Sequence, residues 1–457
     1  MTGQIKNNTG IPKVIPALIV TVILAMCWVL PAGARDYPER KVKCRLETEK
    51  SVLFAGPSQN VVLKVTLDAP GVPDDVHRPP VNLSIVLDRS GSMNGQKLEQ
   101  AKQAAIEAVQ RLNYNDIFSL VVYDSNVQTV IPAQAVEDTS RIISRIRQIY
   151  AGGSTALFGG VSQGASEIRK HLSPRYVHRI ILLSDGLANV GPRTPQELGR
   201  LGAALIKENI SVTTIGVGTD YNEDLMTRLS QNSDGNAYFV ESGRDLPRIF
   251  TAELGDVLNV VAKRVRLTIT LPPGVEPVSI IGREGRIKGR NIELGMNQLY
   301  GEQEKYALVE VKVPESRPDT RMEIARAKVH YEDPFTLKNE VAHGRSVARF
   351  SKDNTVVEKS TNVDVVREYQ LNLNALEQEK AISLSDKGKK KEAVQALKQS
   401  AKQLKSVATQ LNDEVLMEEA KDMEQKAKVI EKEGMSKKYR KELRTKSYQK
   451  KNQHLNQ

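Results

Sequence analysis

The chain has 457 residues, a formal net charge of +11, and 40% hydrophobic, 5% aromatic and 26% charged residues. That length exceeds one ordinary domain and implies two to four units, and the scarcity of aromatics argues against a wholly compact enzyme. The charge is uneven: residues 434–457 hold eight lysines and arginines against Glu442 alone, so the basicity belongs mainly to a tail and says little about the folded part.

Residues 1–34 read as an export signal. Lys6 and Lys13 supply a positive segment, residues 14–30 are apolar apart from Pro16 and Thr21, and Ala32-Gly33-Ala34 gives the small-x-small pattern a signal peptidase needs. Cleavage is expected after Ala34. An uncleaved anchor is the alternative, because the run is long for a signal core and short for a membrane span. A lipid-modified Cys27 fits poorly, since Met26 is too large for the preceding position and apolar residues continue beyond. Either way the bulk of the chain is expected outside the cytoplasm: periplasmic, secreted or membrane-anchored. Loss of the signal leaves Cys44 as the sole cysteine, with no intrachain disulfide. That points to a bacterial envelope more than to a eukaryotic secretory route.

Residues 35–77 carry strand character at 51–54 and 61–67, bounded by Gly56-Pro57 and Pro70-Gly71. From 78 to 262 strands and helices alternate. Apolar strands are expected at 81–87, 117–123, 179–184, 211–217 and 237–240, and helices at 98–112, 141–149, 156–172, 195–208, 223–231 and 246–260. Near-continuous apolar strands alternating with helices predict a doubly wound, mostly parallel α/β sheet covered on both faces. Residues 263–350 return to short alternating strands with Pro272-Pro273-Gly274 and Pro314 as breaks, which predicts a β-sandwich. The similar flavour of 45–69 implies that the α/β domain is inserted into this sandwich, with an independent N-terminal hairpin as the alternative. Residues 361–433 read as three charged helices broken at Asp386-Lys387-Gly388 and Asn412-Asp413. The first two loosely resemble a tetratricopeptide-type hairpin. One such unit is short of a stable array, and a helical hairpin or coiled coil packing on itself is expected. The basic tail, 434–457, is expected to be disordered, with contact to anionic lipid or nucleic acid as the lesser reading.

Three pieces of the α/β region carry oxygen ligands: Asp88-Arg89-Ser90-Gly91-Ser92 after one strand, Gly152-Gly153-Ser154-Thr155 at the start of a helix, and Ser184-Asp185-Gly186 after another strand. Ligands of parallel sheets bind outside the carboxyl ends of strands, so one loop cluster gathers Asp88, Ser90, Ser92, Thr155 and Asp185. Hydroxyls with few carboxylates suit a hard divalent cation: Mg²⁺, or Mn²⁺ or Ca²⁺. With the aspartates acting through intervening groups, the ion stays electron-poor and keeps a position for a carboxylate from another protein.

The Asp-x-Ser-x-Ser, distant Thr and distant Asp-Gly pattern resembles the metal-ion-dependent adhesion site of von Willebrand factor A and integrin inserted domains. The resemblance covers about residues 78–262. It looks closest to bacterial exported proteins of this type and to chloride channel regulator and inter-α-trypsin inhibitor heavy chain relatives. It implies that Asp88, Ser90, Ser92, Thr155 and Asp185 are the metal-site residues, and that ligand binding often couples to movement of the last helix, here 246–260.

Other motifs are thinner. Asp88, Ser90, Ser92 and Glu99 fall at EF-hand positions, but Met93 replaces the required glycine and a strand enters the loop. Gly152-Gly153 lacks the P-loop lysine, and Gly216-Val217-Gly218 lacks the third glycine of a dinucleotide site. His77, His171, His178, His330, His343 and His454 show neither ligand spacing nor a paired nucleophile. The expectation is a metal-dependent binding module that recognises an exposed Asp or Glu of a partner protein. A scaffold self-associating through its C-terminal helices is the alternative, and no acid-base or nucleophile pair supports an enzyme.

Overall fold

The computed structural model describes residues 41–72 and 78–453. The expected export signal, His77 and His454 lie outside them. Strands β1 (Lys43–Thr48), β2 (Val52–Phe54) and β3 (Gln59–Asp68) come first. The α/β unit follows as β4 (Val81–Asp88), α1 (Gln96–Arg111), β5 (Ile117–Tyr123), β6 (Val127–Ala135), α2 (Thr139–Arg147), α3 (Leu157–Arg169), β7 (Val177–Ser184), α4 (Pro195–Leu205), β8 (Ile210–Val217), α5 (Glu223–Ser233), β9 (Ala237–Val240) and α6 (Leu246–Leu258). Strands β10 (Val260–Thr270), β11 (Glu276–Ile281), β12 (Arg286–Lys288), β13 (Asn291–Tyr300), β14 (Glu304–Val313), β15 (Arg321–Glu332) and β16 (Asn339–Ser351) come next. The chain closes with α7 (Asn354–Lys359), α8 (Val363–Asp386), α9 (Lys390–Leu411), α10 (Glu414–Glu433) and α11 (Lys437–Asn452).

The central sheet has the order β6-β5-β4-β7-β8-β9 and is parallel except for edge strand β6. All eight residues of β4 are buried, as a strand covered on both faces requires. Leu83, Ile85 and Leu87 join α1, α2 and α6 in one core, and Val86 joins α3, α4 and α5 in the other. Helix α3 approaches through glycines. A Cβ on Gly164 would lie 2.5 Å from Val86, and one on Gly160 2.6 Å from the Tyr123 ring. Strand β6 was not read from the sequence, because Pro132 interrupts its pattern at a break in register with β5.

The sandwich consists of β1-β3-β14-β11 facing β12-β13-β10-β15-β16-β2. Strand β3 pairs with β14 along its whole length, from Gln59–Val313 to Asp68–Glu304. The α/β unit is therefore an insertion between two parts of one sandwich. Helix α6 ends at Leu258, two residues short of the expected end, and β10 takes over at Val260.

Helices α8 to α10 form antiparallel pairs whose apolar stripes meet one another. Val365, Tyr369 and Leu373 of α8 seat this bundle on the sandwich. Among the described residues, no helix is long and apolar enough to cross a membrane.

The basic tail is a correction. Instead of being disordered, residues 437–452 form α11, capped by Ser436. Its charges meet an acidic surface on the α/β unit: Arg440 reaches Glu223 and Asp224, Lys441 reaches Glu223 at 2.6 Å, Arg444 reaches Asp224 at 2.7 Å and Lys437 reaches Asp220 at 3.0 Å. Leu443 and Tyr448 are buried. The Gln449 side chain donates to the Ala237 carbonyl of β9 at 3.3 Å. The helix thus covers a sheet edge that would otherwise be open to pairing. Most of those basic side chains are paired within the chain, which accounts for the basic run without a lipid or nucleic-acid partner.

Arg440→Glu would place a carboxylate against Glu223, Asp224 and Asp386. Because Glu223 is buried, denaturant unfolding is expected to show a loss of about 2 kcal/mol or more. Hydrogen exchange is expected to show weakened protection of β9; unchanged protection there would mean that α11 is not the cover.

Candidate metal site

The carboxyl ends of β4 and β7, neighbours in the sheet, deliver Asp88 and Ser184-Asp185 side by side. The loop after β4 turns through Ser90, Gly91 and Ser92 before α1. The Gly152–Thr155 loop is laced to it: the Gly152 amide donates to the Arg89 carbonyl at 2.8 Å, and the Gly91 amide to the Gly153 carbonyl at 3.1 Å. The third loop is tied to the second, since the Thr155 amide donates to Asn189 Oδ1 at 2.8 Å and the Asn189 amide to the Thr155 carbonyl at 3.1 Å. All five expected side chains meet in this cluster.

Asp88 is fully buried. Its Oδ1 accepts from the Ser90 amide at 2.8 Å and its Oδ2 from Ser184 Oγ at 2.7 Å. Burial pushes its carboxyl up to about 6, against the lowering effect of those hydrogen bonds. Asp185, also buried, accepts from Ser92 Oγ at 2.7 Å and from Lys97 Nζ at 2.6 Å. Ser90 Oγ and Ser92 Oγ lie 3.1 Å apart. A Cβ on Gly186 would sit 3.3 Å from Thr155 Oγ1 and 3.5 Å from Ser92 Oγ, so those two hydroxyls converge over a residue with no side chain.

These residues fit a divalent cation. Two oxygens at right angles on a Mg²⁺ ion, with bonds of about 2.1 Å, stand roughly 3 Å apart, which is the spacing of the two serine hydroxyls. The buried carboxylates supply negative charge behind the hydroxyls, where a cation offsets the cost of burying them. Ser90, Ser92 and Thr155 would hold the ion. Asp88 and Asp185 would orient the serines and balance its charge, and the ion would supply a site that attracts an anionic oxygen.

Sequence reasoning missed Lys97 and Asn189, and named Ser184 within its motif without giving it a role. Ser184 directly precedes Asp185, and a hydroxyl next to a motif acid was its only signal. Lys97 was hidden among the charged residues of α1, and Asn189 acts through its side chain and amide on the Thr155 backbone, which no motif reports.

Residues 82–252 match the von Willebrand factor type A domain. The chain carries a von Willebrand factor type A domain. It is 27% identical over 299 residues to the uncharacterized protein sll0103 of Synechocystis sp., covering 63% of this chain and 70% of that one. It is 31% identical over 186 residues to inter-alpha-trypsin inhibitor heavy chain H2 of Mesocricetus auratus, covering 38% of this chain and 19% of that protein. The chain therefore spans most of the first relative's length but about a fifth of the second's. The solved structure of a von Willebrand factor type A protein from Catenulispora acidiphila superposes with a TM-score of 0.67 at 17% identity, covering 86% of this chain and 90% of that one. The shared fold thus extends beyond the type A domain itself.

Gly186→Ala tests the cradle. The added methyl crowds the Thr155 hydroxyl at 3.3 Å and touches that of Ser92 at 3.5 Å, and overpacking of that kind costs about 1–3 kcal/mol. Titration calorimetry is expected to show Mg²⁺ affinity falling about tenfold or more, with the circular dichroism spectrum unchanged. Undiminished affinity would place the ion elsewhere.

Proposed function

We propose that this protein is a divalent-metal-dependent protein-binding module of the cell envelope, and that its type A domain recognises an exposed Asp or Glu of a partner through the Asp88, Ser90, Ser92, Thr155 and Asp185 site. The observation that carries the reading is the ligand set itself. Hydroxyls front the site while both carboxylates are already engaged by protein donors. A cation held mainly by neutral oxygens stays electron-poor, and an incoming carboxylate is its natural complement. The cluster holds no histidine, and the Ser92 and Ser184 hydroxyls donate to aspartates that are themselves buried behind the site, an arrangement that favours binding over catalysis.

Placement in the envelope rests on the export-signal pattern of residues 1–34, with Lys6, Lys13 and Ala32-Gly33-Ala34 as its marks. Assembly through the C-terminal helices is the weaker reading, because the apolar faces of α8 to α10 are largely spent on one another and on the sandwich. Mg²⁺ is the ion we favour, since hydroxyl and water ligands in octahedral array suit it.

Calorimetric titration of Mg²⁺ and Mn²⁺ into the protein, with and without acetate as the simplest carboxylate, tests this. One saturable site is expected, strengthened by acetate and lost in Asp88→Ala and Thr155→Ala. Folded protein that binds neither ion, with or without acetate, would sink the proposal.

A further inference from the structure

The site contains a cation of its own. Lys97, at the start of α1, extends Nζ to Asp185 Oδ2 at 2.6 Å and to the Ser92 carbonyl at 3.5 Å. Asp185 has no exposed side-chain surface, whereas the Lys97 side chain is 39% exposed. The lysine thus reaches in from the rim to neutralise a buried acid. Gly218, on the loop after β8, lies beside Nζ, with a Cβ built there 3.8 Å away, an ordinary contact. Nothing in the adhesion-site pattern calls for an ammonium group at this point.

The charge count gives it a consequence. With both aspartates ionised, Asp88, Asp185 and Lys97 sum to one negative charge. A divalent ion added to them leaves one uncompensated positive charge in a low-dielectric setting. A partner's carboxylate cancels that charge. Without Lys97 the two aspartates alone would balance the ion, and no added anion would be needed. The nearby acid Asp220 does not alter this, because it is exposed and its carboxyl is held low chiefly by Lys437, with Lys97 contributing.

We propose that Lys97 is a specificity-determining residue that makes metal retention depend on an incoming carboxylate, so that ion and acidic partner bind cooperatively. This rests on the metal-site reading above. A like charge within a few ångströms shifts charged-state equilibria by roughly one to three powers of ten, which sets the size of the effect. The lysine's role is to position charge; it need not touch the partner.

The test compares the parent with Lys97→Gln and Lys97→Arg, with Mg²⁺ and Mn²⁺ as probes and acetate as the carboxylate. In Lys97→Gln, calorimetry is expected to show metal binding at least about tenfold tighter without acetate, and a smaller gain when acetate is added. Its melting temperature in a chelator is expected to fall, because buried Asp185 loses its partner, and to recover with metal. Lys97→Arg keeps the charge and is expected to behave like the parent. Equal or weaker metal binding in Lys97→Gln, with the parent binding normally, would overturn this inference and leave the metal site intact. Absence of metal binding in all three folded proteins would overturn the metal site and this inference together.

Discussion

A guanidinium buried in the centre of the molecule fixes how its parts fit. Arg179 lies on β7 with no exposed surface, and its charge cannot stay there without partners. Glu253 of α6 answers it at 3.4 Å, and Thr213 of β8 at 3.3 Å. Gln298 and Tyr300 of β13, each at 2.9 Å, bring in the sandwich. Glu253 is held in turn by Thr213, Asn236 and Tyr238. One side chain therefore ties together the parallel sheet, its last helix and the sandwich that the sheet interrupts. Removing either partner would strand the other charge in a dry interior, at a cost of about 3–5 kcal/mol.

The same strand carries the chemistry at its other end. Arg179 stands near the start of β7 and Ser184 ends it, so the sandwich junction and the metal cluster are separated by about 17 Å of extended chain. That separation puts the hydroxyl-bearing loops at the opposite end of β7 from the junction with the sandwich. The strand between them is rigid, since all its residues are buried and it pairs in parallel on both sides.

The parts of this design legible from sequence were those with local periodicity or fixed ligand spacing. Buried strands such as β4 and β7 announce themselves as apolar runs, and the convergence of Asp88, Ser90, Ser92, Thr155 and Asp185 in one loop cluster follows from their places at strand ends and a helix start. The alternating strands flanking the insertion were legible as a class, although their pairing across some 240 residues, as of β3 with β14, is a matter of topology and not of pattern. The tail was misread for a physical reason. Like charges in sequence argue for disorder only when nothing opposes them, and the acids that do, Asp220, Glu223 and Asp224, sit more than 200 residues away. Lys97 was missed likewise, because its partner Asp185 is 88 residues distant.

Two routes connect the metal cluster to the rest of the chain, and their magnitudes differ. One runs through Lys97 and the loop after β8 to Asp220 and Lys437 of α11. Its last pair is almost fully solvent-exposed, where such pairs contribute little and salt screens them within about 8 Å. The other runs along β7 and α6 to Arg179 and Glu253, where both charges are buried and nothing screens them. The resemblance to adhesion-type domains implied that the last helix moves when ligand binds. Here α6 carries Glu253, and sliding it by one turn would separate that carboxylate from its buried partner. Any response of α6 to the metal site must therefore either keep the Arg179 contact and carry β13 of the sandwich with it, or oppose several kcal/mol of uncompensated charge. The first path is the less costly, so a movement of α6 driven from that site would carry β13 of the sandwich with it.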